Sequence, residues 1–220
     1  MDVDLGVAME ASEKGAELIV SHHPLIFNPV RNITADSPDG KCLLYLIENK
    51  ISVYSAHTNL DSALGGLNDL AAQFLNLEDT KVLEAGCEGE FGIGRIGLLP
   101  RPMPLKTFAH AIKTIYRLPY IRFVGDEDKM IKKVALCTGS GGDLLKDAIE
   151  KGADAFITGD IKYNIARDAA AFDIGLVELG HYESEYIVVD LMEKLLTEYG
   201  NGKVTLYKSL SNRNVFQTIE

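Results

Sequence analysis

Short apolar runs alternate with amphipathic stretches along this chain. The amphipathic stretch Val7–Lys14 precedes the apolar run Glu17–Val20, and Cys42–Ile47 precedes Ile51–Ser55; the same order returns from Lys133 onward. Alternation of helical and strand-like segments predicts an α/β fold with largely parallel strands. The other predicted elements are helices Leu67–Leu75, Leu105–Tyr116, Ile161–Ala171 and Tyr182–Leu196, strands Gly94–Leu99, Tyr120–Val124, Lys133–Cys137 and Leu176–Leu179, and a turn at the segment RPMP.

An internal repeat organises this alternation. Glu13–Ser21 reads EKGAELIVS, and Glu150–Thr158 reads EKGADAFIT. Each segment is followed by a strand that ends in histidine, ISVYSAH at Ile51–His57 and GLVELGH at Gly175–His181, and an acid stands four residues after each histidine. Two matches in the same order, with the same ending, predict a duplicated βαβ unit.

The duplication also predicts how the chain divides. We expect two interlinked α/β lobes, residues 1–85 and 86–220, with residues 86–128 inserted in the second and the C-terminal end returning to the first. In the second copy, the strand Lys133–Cys137 and the turn GSGGD precede the repeated helix. The matching strand of the first copy would lie before Met1, so we expect the first lobe to lack an N-terminal strand.

Four of the five histidines follow predicted strands. His22 and His23 come directly after the first strand, and His57 and His181 end the two repeated strands. Functional groups of open α/β sheets gather at the carboxyl ends of their strands. We therefore expect these imidazoles at one site, with His22 and His23 serving different metal ions because adjacent side chains of an extended segment point to opposite sides.

Two carboxylates complete the pattern. Asp61 and Glu185 are the acids that follow the repeated histidines, and on a helix Glu185 would share the face of His181. Imidazole mixed with carboxylate suits Zn, Fe, Mn or Ni, and carboxylates can bridge two cations. The pattern predicts a two-metal site in the cleft between the lobes, with cations about 3.5–4 Å apart that would activate a water for hydrolysis.

Two further residues have open roles. His57 is either a ligand or a base that orients Asp61. Asp160, in the segment TGD, either lines the same cleft or caps the helix Ile161–Ala171. Both are candidates for proton transfer in catalysis. The backbone amides of the turn GSGGD at Gly139–Asp143 could hold a phosphate. The turn matches neither the Walker pattern nor GxGxxG, however, and is interpreted as a tight turn without a ligand.

Composition narrows the class of partner. The formal net charge is −10 and the pI about 5.0, which argues against nucleic acid as the main partner. Cys42, Cys87 and Cys137 form no CxxC pair, so we expect reduced thiols and a cytoplasmic location. No apolar run reaches the roughly 18 residues that span a bilayer, so no membrane partner is predicted.

The motifs SHHPLIF, AHTNLD, GSGG, TGDIKY and GHYESE, in this order, resemble those of the GTP cyclohydrolase 1 type 2 family, also called the Nif-three-like family. The resemblance covers nearly the whole chain. It implies two α/β lobes, a toroidal homohexamer, and hydrolysis of a small, nucleotide-like substrate such as GTP. It leads us to expect histidine at the position of Asn164. The metal ligands it implies are His22, His23, Asp61, His181 and Glu185.

The same resemblance leaves an alternative open. Many members of this family are known only as metal-binding homologues. A non-catalytic metal-binding scaffold or regulatory protein is therefore the second hypothesis. Metal loading without turnover would distinguish it from the hydrolase.

Overall fold

A computed structural model describes residues 1–86 and 91–217. In chain order the elements are α1 Leu5–Glu13, β1 Leu18–Ser21, α2 Pro38–Glu48, β2 Ser52–Ser55, α3 Thr58–Ser62, α4 Leu67–Phe74, β3 Glu78–Ala85, β4 Gly92–Pro104, α5 Leu105–Ile115, β5 Arg122–Val124, β6 Met130–Leu136, a 3-10 turn Gly142–Leu144, α6 Leu145–Glu150, β7 Ala155–Thr158, α7 Tyr163–Ala171, β8 Gly175–Glu178, α8 His181–Glu185 and α9 Val188–Gly200. The predicted α/β class is confirmed. No helix within the described ranges combines the length and apolar character needed to cross a membrane.

The chain divides into two compact units, which we call unit 1 and unit 2. Unit 1 contains residues 1–59 and 188–217, and unit 2 contains residues 60–187. The boundary therefore falls inside α3, and residues 188–217 belong to the first unit. The repeat-based lobe boundary at residue 85 stays a prediction about the duplication.

Unit 1 contains a parallel pair of strands, β1 and β2, in which Leu18 pairs with Ser52 and Ser21 with Ser55. Asp4 is the N-cap residue of helix α1, and its side chain accepts a hydrogen bond from the Val7 N–H. Helix α1 packs on α2. A single pair of strands is marginal by itself, so packing of the helices supplies most of the stability. The buried cluster of this unit contains Ala8, Ala11, Cys42, Leu46 and Ile51.

The C-terminal segment after α9 is attached to α1 by one carboxylate. Glu10 accepts hydrogen bonds from the Ser209 hydroxyl at 2.7 Å and from the main-chain N–H groups of Leu210 and Ser211 at 3.0 Å. Burial would raise the pKa of Glu10, but these hydrogen bonds outweigh it and lower the pKa to about 2. The anchor therefore depends on the ionised form of Glu10.

Unit 2 is built on a six-stranded sheet in the order β3-β4-β6-β7-β8-β5. The three strands β6, β7 and β8 are parallel, and the other pairings are antiparallel. The carboxyl ends of β7 and β8 thus open on the same edge, where TGD and GHYESE follow. The buried cluster of this unit contains Leu83, Ile96, Ala135, Cys137, Leu144, Leu145, Ala148, Phe156, Ala169, Ile174 and Leu176.

The middle of the chain corrects two sequence predictions. Strand β3 was not predicted, and the predicted RPMP turn is wrong, because this segment continues β4. Leu98 pairs with Lys133 and Met103 with Ile131, so several residues of β4 lie opposite one residue of β6. A bulge of this kind tolerates proline, which cannot donate to the ladder.

Two helix predictions also needed correction. The predicted helix Tyr182–Leu196 is divided into α8 and α9, and α7 begins at Tyr163 rather than at Ile161. Cys42 and Cys137 are free and buried, as expected, whereas Cys87 lies outside the described residues.

The backbone supports the internal repeat. Gly15 and Gly152 follow matching helices with φ of 67° and 69°, as glycine does when it ends a helix. The N–H of Ala56, just after β2, donates to the Ser21 carbonyl. In the same way the N–H of Leu179, just after β8, donates to the Thr158 carbonyl. His57 follows Ala56 at once, whereas Gly180 separates Leu179 from His181. The second copy is therefore one residue longer before its histidine.

Candidate metal centre

Three histidines of unit 1 lie together. The ring centroids of His22, His23 and His57 are 5.2–5.7 Å apart. One ring nitrogen from each lies within 4.8 Å of the other two, which is a spacing that a metal ion can bridge. His22 is fully buried, and the other two are half-buried. The sequence prediction that these strand-end imidazoles lie together is confirmed within unit 1.

The orientation of His22 and His23 follows from their hydrogen bonds. His22 Nδ1 lies 2.8 Å from the Ala56 carbonyl oxygen, which can only accept, so Nδ1 carries the proton. His23 Nδ1 lies 2.7 Å from an Asp2 carboxylate oxygen, and this hydrogen bond lowers the pKa of Asp2 despite its partial burial. With the proton on Nδ1, the nitrogen through which each imidazole can bind a metal is Nε2.

The main chain also holds the histidine pair. The N–H groups of His22 and His23 both donate to the Met1 carbonyl at 3.1 Å, and the Ser21 hydroxyl donates to the His23 carbonyl at 2.9 Å. The Ser21 and Ser55 hydroxyl oxygens are 2.9 Å apart and connect β1 to β2. The end of β1 is thus joined to its neighbours on both sides.

His181 of unit 2 lies between two carboxylates. Its Nδ1 donates to Asp160 at 2.6 Å, and its Nε2 lies 3.1 Å from Glu185. The Glu185 bond, opposed by partial burial and reinforced by Asp160, raises the pKa of His181 to about 9. A divalent cation would take the place of the Nε2 proton and satisfy the same carboxylate.

Asp160 does not cap α7, which was one of its two predicted roles. The N-cap residue of α7 is Lys162, and no side chain makes a capping hydrogen bond there. Asp160 has φ of 51°, a conformation that aspartate tolerates better than most residues, and its carboxylate faces the His181 ring. A metal-binding histidine commonly donates its other ring N–H to such a carboxylate, which holds the ring in orientation.

Asp61 and Glu185 are buried acids of the same unit. Their side chains belong to residues that are 9% and 4% exposed. Burial, followed by the charges of these two carboxylates, raises the pKa of Cys137 to about 12, so both acids act on the same thiol at the end of β6. Buried carboxylates are stable only where hydrogen bonds, opposite charges or metal ions balance them.

The glycine-rich turn after β6 is needed for close packing against these acids. A Cβ on Gly139 would lie 2.0 Å from Glu185 Oε1 and 3.5 Å from His181 Nε2, and its φ is +67°. A Cβ on Gly159 would lie 2.7 Å from the main chain of His181. The turn is tight, as predicted, and only glycine leaves room for the carboxylate and imidazole.

Within unit 2 the donor set fits a divalent cation. It combines the imidazole of His181, whose Nδ1 is engaged by Asp160, with the buried carboxylates of Asp61 and Glu185, and the Cys137 thiol is held protonated. Such mixtures bind Zn, Fe, Mn or Ni, and they do not by themselves select one metal.

Sequence reasoning missed the residues that hold the candidate ligands. They are Asp2, Ala56, Asn68, Thr158 and Ser184. Three of them stand in motifs that the sequence made visible: Ser184 lies in GHYESE, Thr158 opens TGDIKY, and Ala56 opens AHTNLD. Asp2 and Asn68 lie outside these motifs and have no periodicity that would mark them.

Comparison with known proteins identifies the family of this chain. The family model described as Duf34/NIF3 (NGG1p interacting factor 3) matches residues 1–214. The GTP cyclohydrolase 1 type 2 homolog of Clostridium perfringens is 36% identical over 220 residues, which cover 100% of this chain and 84% of the relative. That of Clostridium acetobutylicum is 37% identical over 198 residues, which cover 89% and 74%.

Solved structures show the same fold. A Bacillus cereus protein related to NIF3 superposes with a TM-score of 0.93 at 27% identity, covering 100% of this chain and 88% of that one. Reduced HcgD from Methanocaldococcus jannaschii gives a TM-score of 0.74 at 30% identity, covering 90% and 77%. Fold and site thus define an α/β protein with histidine and carboxylate groups suited to metal. The chain belongs to the Duf34/NIF3 family.

Proposed function

We propose that this protein binds two divalent metal ions and acts as a metal-dependent hydrolase on a small, nucleotide-like molecule. The proposed ligands are His22, His23, Asp61, His181 and Glu185. The names of the curated relatives point to GTP as the first substrate to test. The hexameric assembly and the cytoplasmic location expected from the sequence remain part of this proposal.

One observation carries the proposal. The Nδ1 atoms of His22, His23 and His181 each have an acceptor, namely a carbonyl or a carboxylate, within 2.6–2.8 Å. This pattern directs Nε2 toward ligation and fixes the ring plane. Three imidazoles arranged in the same way, in a chain with five histidines, are more than packing requires.

Bound divalent ions would supply Lewis acidity and would activate a water for attack. The chain's own groups would do the remaining work. Asp160 would hold the proton on His181 Nδ1 and keep the ring oriented. His57, half-buried beside His22 and His23, is the candidate for moving a proton to or from the substrate.

The first test is elemental analysis of the purified native protein, followed by a substrate screen with the metal found. We expect about two equivalents of a divalent metal and turnover of GTP or of a related cyclic amide or phosphoester. A metal content below about one equivalent that is unchanged in Glu185→Ala would overturn the metal proposal.

The alternative is a non-catalytic metal-binding scaffold. It is favoured by the exposed apolar side chains of Leu210, Val215 and Phe216 in the C-terminal segment, which a partner could cover. It predicts full metal loading without turnover of any substrate in the screen. Light scattering coupled to size-exclusion chromatography measures the assembly state in either case.

A further inference from the structure

The loop Thr138–Gly142 follows β6 and joins it to α6. In unit 2 it lies against Glu185 and His181, two of the proposed metal ligands. We propose that three buried polar residues, Asn68, Thr158 and Ser184, are positioning residues that fix this loop and, through it, the proposed ligands Asp61, His181 and Glu185. This inference rests on the proposed metal site.

Asn68 connects the loop to the helix of Asp61. The side chain of Asn68 is fully buried on α4. Its Nδ2 donates to the Asp61 carbonyl at 3.2 Å, and its Oδ1 accepts from the Thr138 N–H at 3.0 Å. A single amide therefore satisfies one main-chain group on each side, and it sets the distance between the end of β6 and α3.

Ser184 makes the corresponding connection to α8. It is fully buried, its hydroxyl accepts from the Gly139 N–H at 2.9 Å, and it donates to the His181 carbonyl at 2.8 Å. A hydroxyl has one proton, so both roles are used. The loop is thereby tied to the helix that carries His181 and Glu185.

Thr158 holds the loop at two further main-chain groups. Its hydroxyl, at the end of β7, accepts from the Gly141 N–H at 2.9 Å and donates to the Gly139 carbonyl at 3.3 Å. The Gly159 N–H donates to the same carbonyl at 2.8 Å. The Gly139 peptide is thus held on both sides, by Ser184 at its N–H and by Thr158 and Gly159 at its carbonyl.

The hydrogen bonds that fix the loop also constrain the Glu185 carboxylate, because Gly139 lies in close contact with it. The position that a Cβ would occupy on Gly139 is 2.0 Å from Glu185 Oε1. A loop displaced by even part of an ångström would therefore displace the carboxylate. Loss of an outer-shell partner typically weakens metal binding about 10–100-fold.

The test is a titration of the full chain with Co²⁺, monitored by calorimetry and by the visible spectrum of the ion. Thermal unfolding of each variant is measured separately in the absence of metal. Thr158→Val keeps the side-chain shape and removes the hydroxyl, whereas Thr158→Ser keeps the hydroxyl. Asn68→Ala and Ser184→Ala remove the other two connections. Asp154→Ala is the matched control, since Asp154 accepts main-chain N–H groups from Lys132 and Lys133 at the other end of β7.

We expect Thr158→Val, Asn68→Ala and Ser184→Ala to weaken Co²⁺ binding about 10–100-fold and to change its visible spectrum. Thr158→Ser should retain the wild-type Co²⁺ affinity and visible spectrum. Asp154→Ala should lower the melting temperature without changing the affinity or the spectrum. Wild-type affinity and spectrum in Thr158→Val and Ser184→Ala would overturn the positioning role, as would an equal loss in Asp154→Ala. A wild-type chain that binds no Co²⁺ would instead overturn the proposed function, and the inference with it.

Discussion

The two units both place histidine after a parallel pair of strands, yet they support it in different ways. In unit 1 the histidines follow β1 and β2, and their partners are a main-chain carbonyl and the half-exposed Asp2. In unit 2, His181 follows a six-stranded sheet and lies between two carboxylates beside a braced glycine loop. The two units therefore share the parallel strand pairing, whereas the side chains beside it are imidazole-rich in unit 1 and carboxylate-rich in unit 2.

The largest expected effect comes from the carboxylate-rich side. Glu185→Ala should lower the metal content by about one equivalent or more, since this buried carboxylate is one of the proposed ligands. Elemental analysis and calorimetric titration measure it. Glu150→Ala, which removes an exposed acid paired with Lys146, is the control and should retain the wild-type content. Equal losses in both variants would mean that net charge, rather than ligation, governs binding.

In unit 1, two substitutions distinguish the proposed metal ligand His22 from the neighbouring His57. His22→Ala should lose about one equivalent of metal, because a two-metal site with one histidine per ion loses the ion that His22 serves. His57→Ala should keep its metal and lose turnover, in keeping with proton transfer. The same two assays decide both results. Metal loss in His57→Ala would show instead that His57 binds metal. All three histidines of unit 1 would then be ligands.

A smaller effect is expected where the loop touches Glu185. Gly139→Ala should lower the free energy of unfolding by more than the about 1–2 kcal/mol that a positive φ alone costs, and it should also weaken metal binding, because its Cβ would in addition overlap the carboxylate. Gly152→Ala has the same positive φ with nothing within 4 Å. It should cost only about 1–2 kcal/mol of strain. Denaturant titration with and without metal measures the free energy of unfolding of both variants. Equal values for the two variants under both conditions would show that the close contact between Gly139 and Glu185 has no effect.

The smallest effect concerns unit 1 alone. The pKa of Glu10 is about 2 in the folded chain and 4.5 ordinarily, so its ionisation stabilises the fold fully above pH 4.5, and this stabilisation is lost as the pH falls toward 2. Glu10→Gln should therefore flatten the dependence of stability on pH over this range. Thermal unfolding between pH 2 and pH 6 checks it. An unchanged acid limb would show that other carboxylates dominate.

Much of the fold was predictable because it is encoded locally. Apolar runs and turn residues marked β1, β2, β6 and β8, and the EKGA segments marked the helix ends at Gly15 and Gly152. The prediction failed at RPMP, where proline suggested a turn although a bulge accommodates it in β4. It also missed β3, which is largely exposed and has no apolar alternation.

The sequence by itself determined the α/β class, the repeat and the strand-end histidines, since these depend on short-range patterns of burial and turn formation. Only the tertiary structure decided which atoms those histidines contact. His22 meets Ala56 across 34 residues, Ser184 meets Gly139 across 45, and Asn68 meets Thr138 across 70. Partners so distant in sequence are chosen by how strands and helices pack, and each hydrogen bond depends on distances that no local pattern specifies.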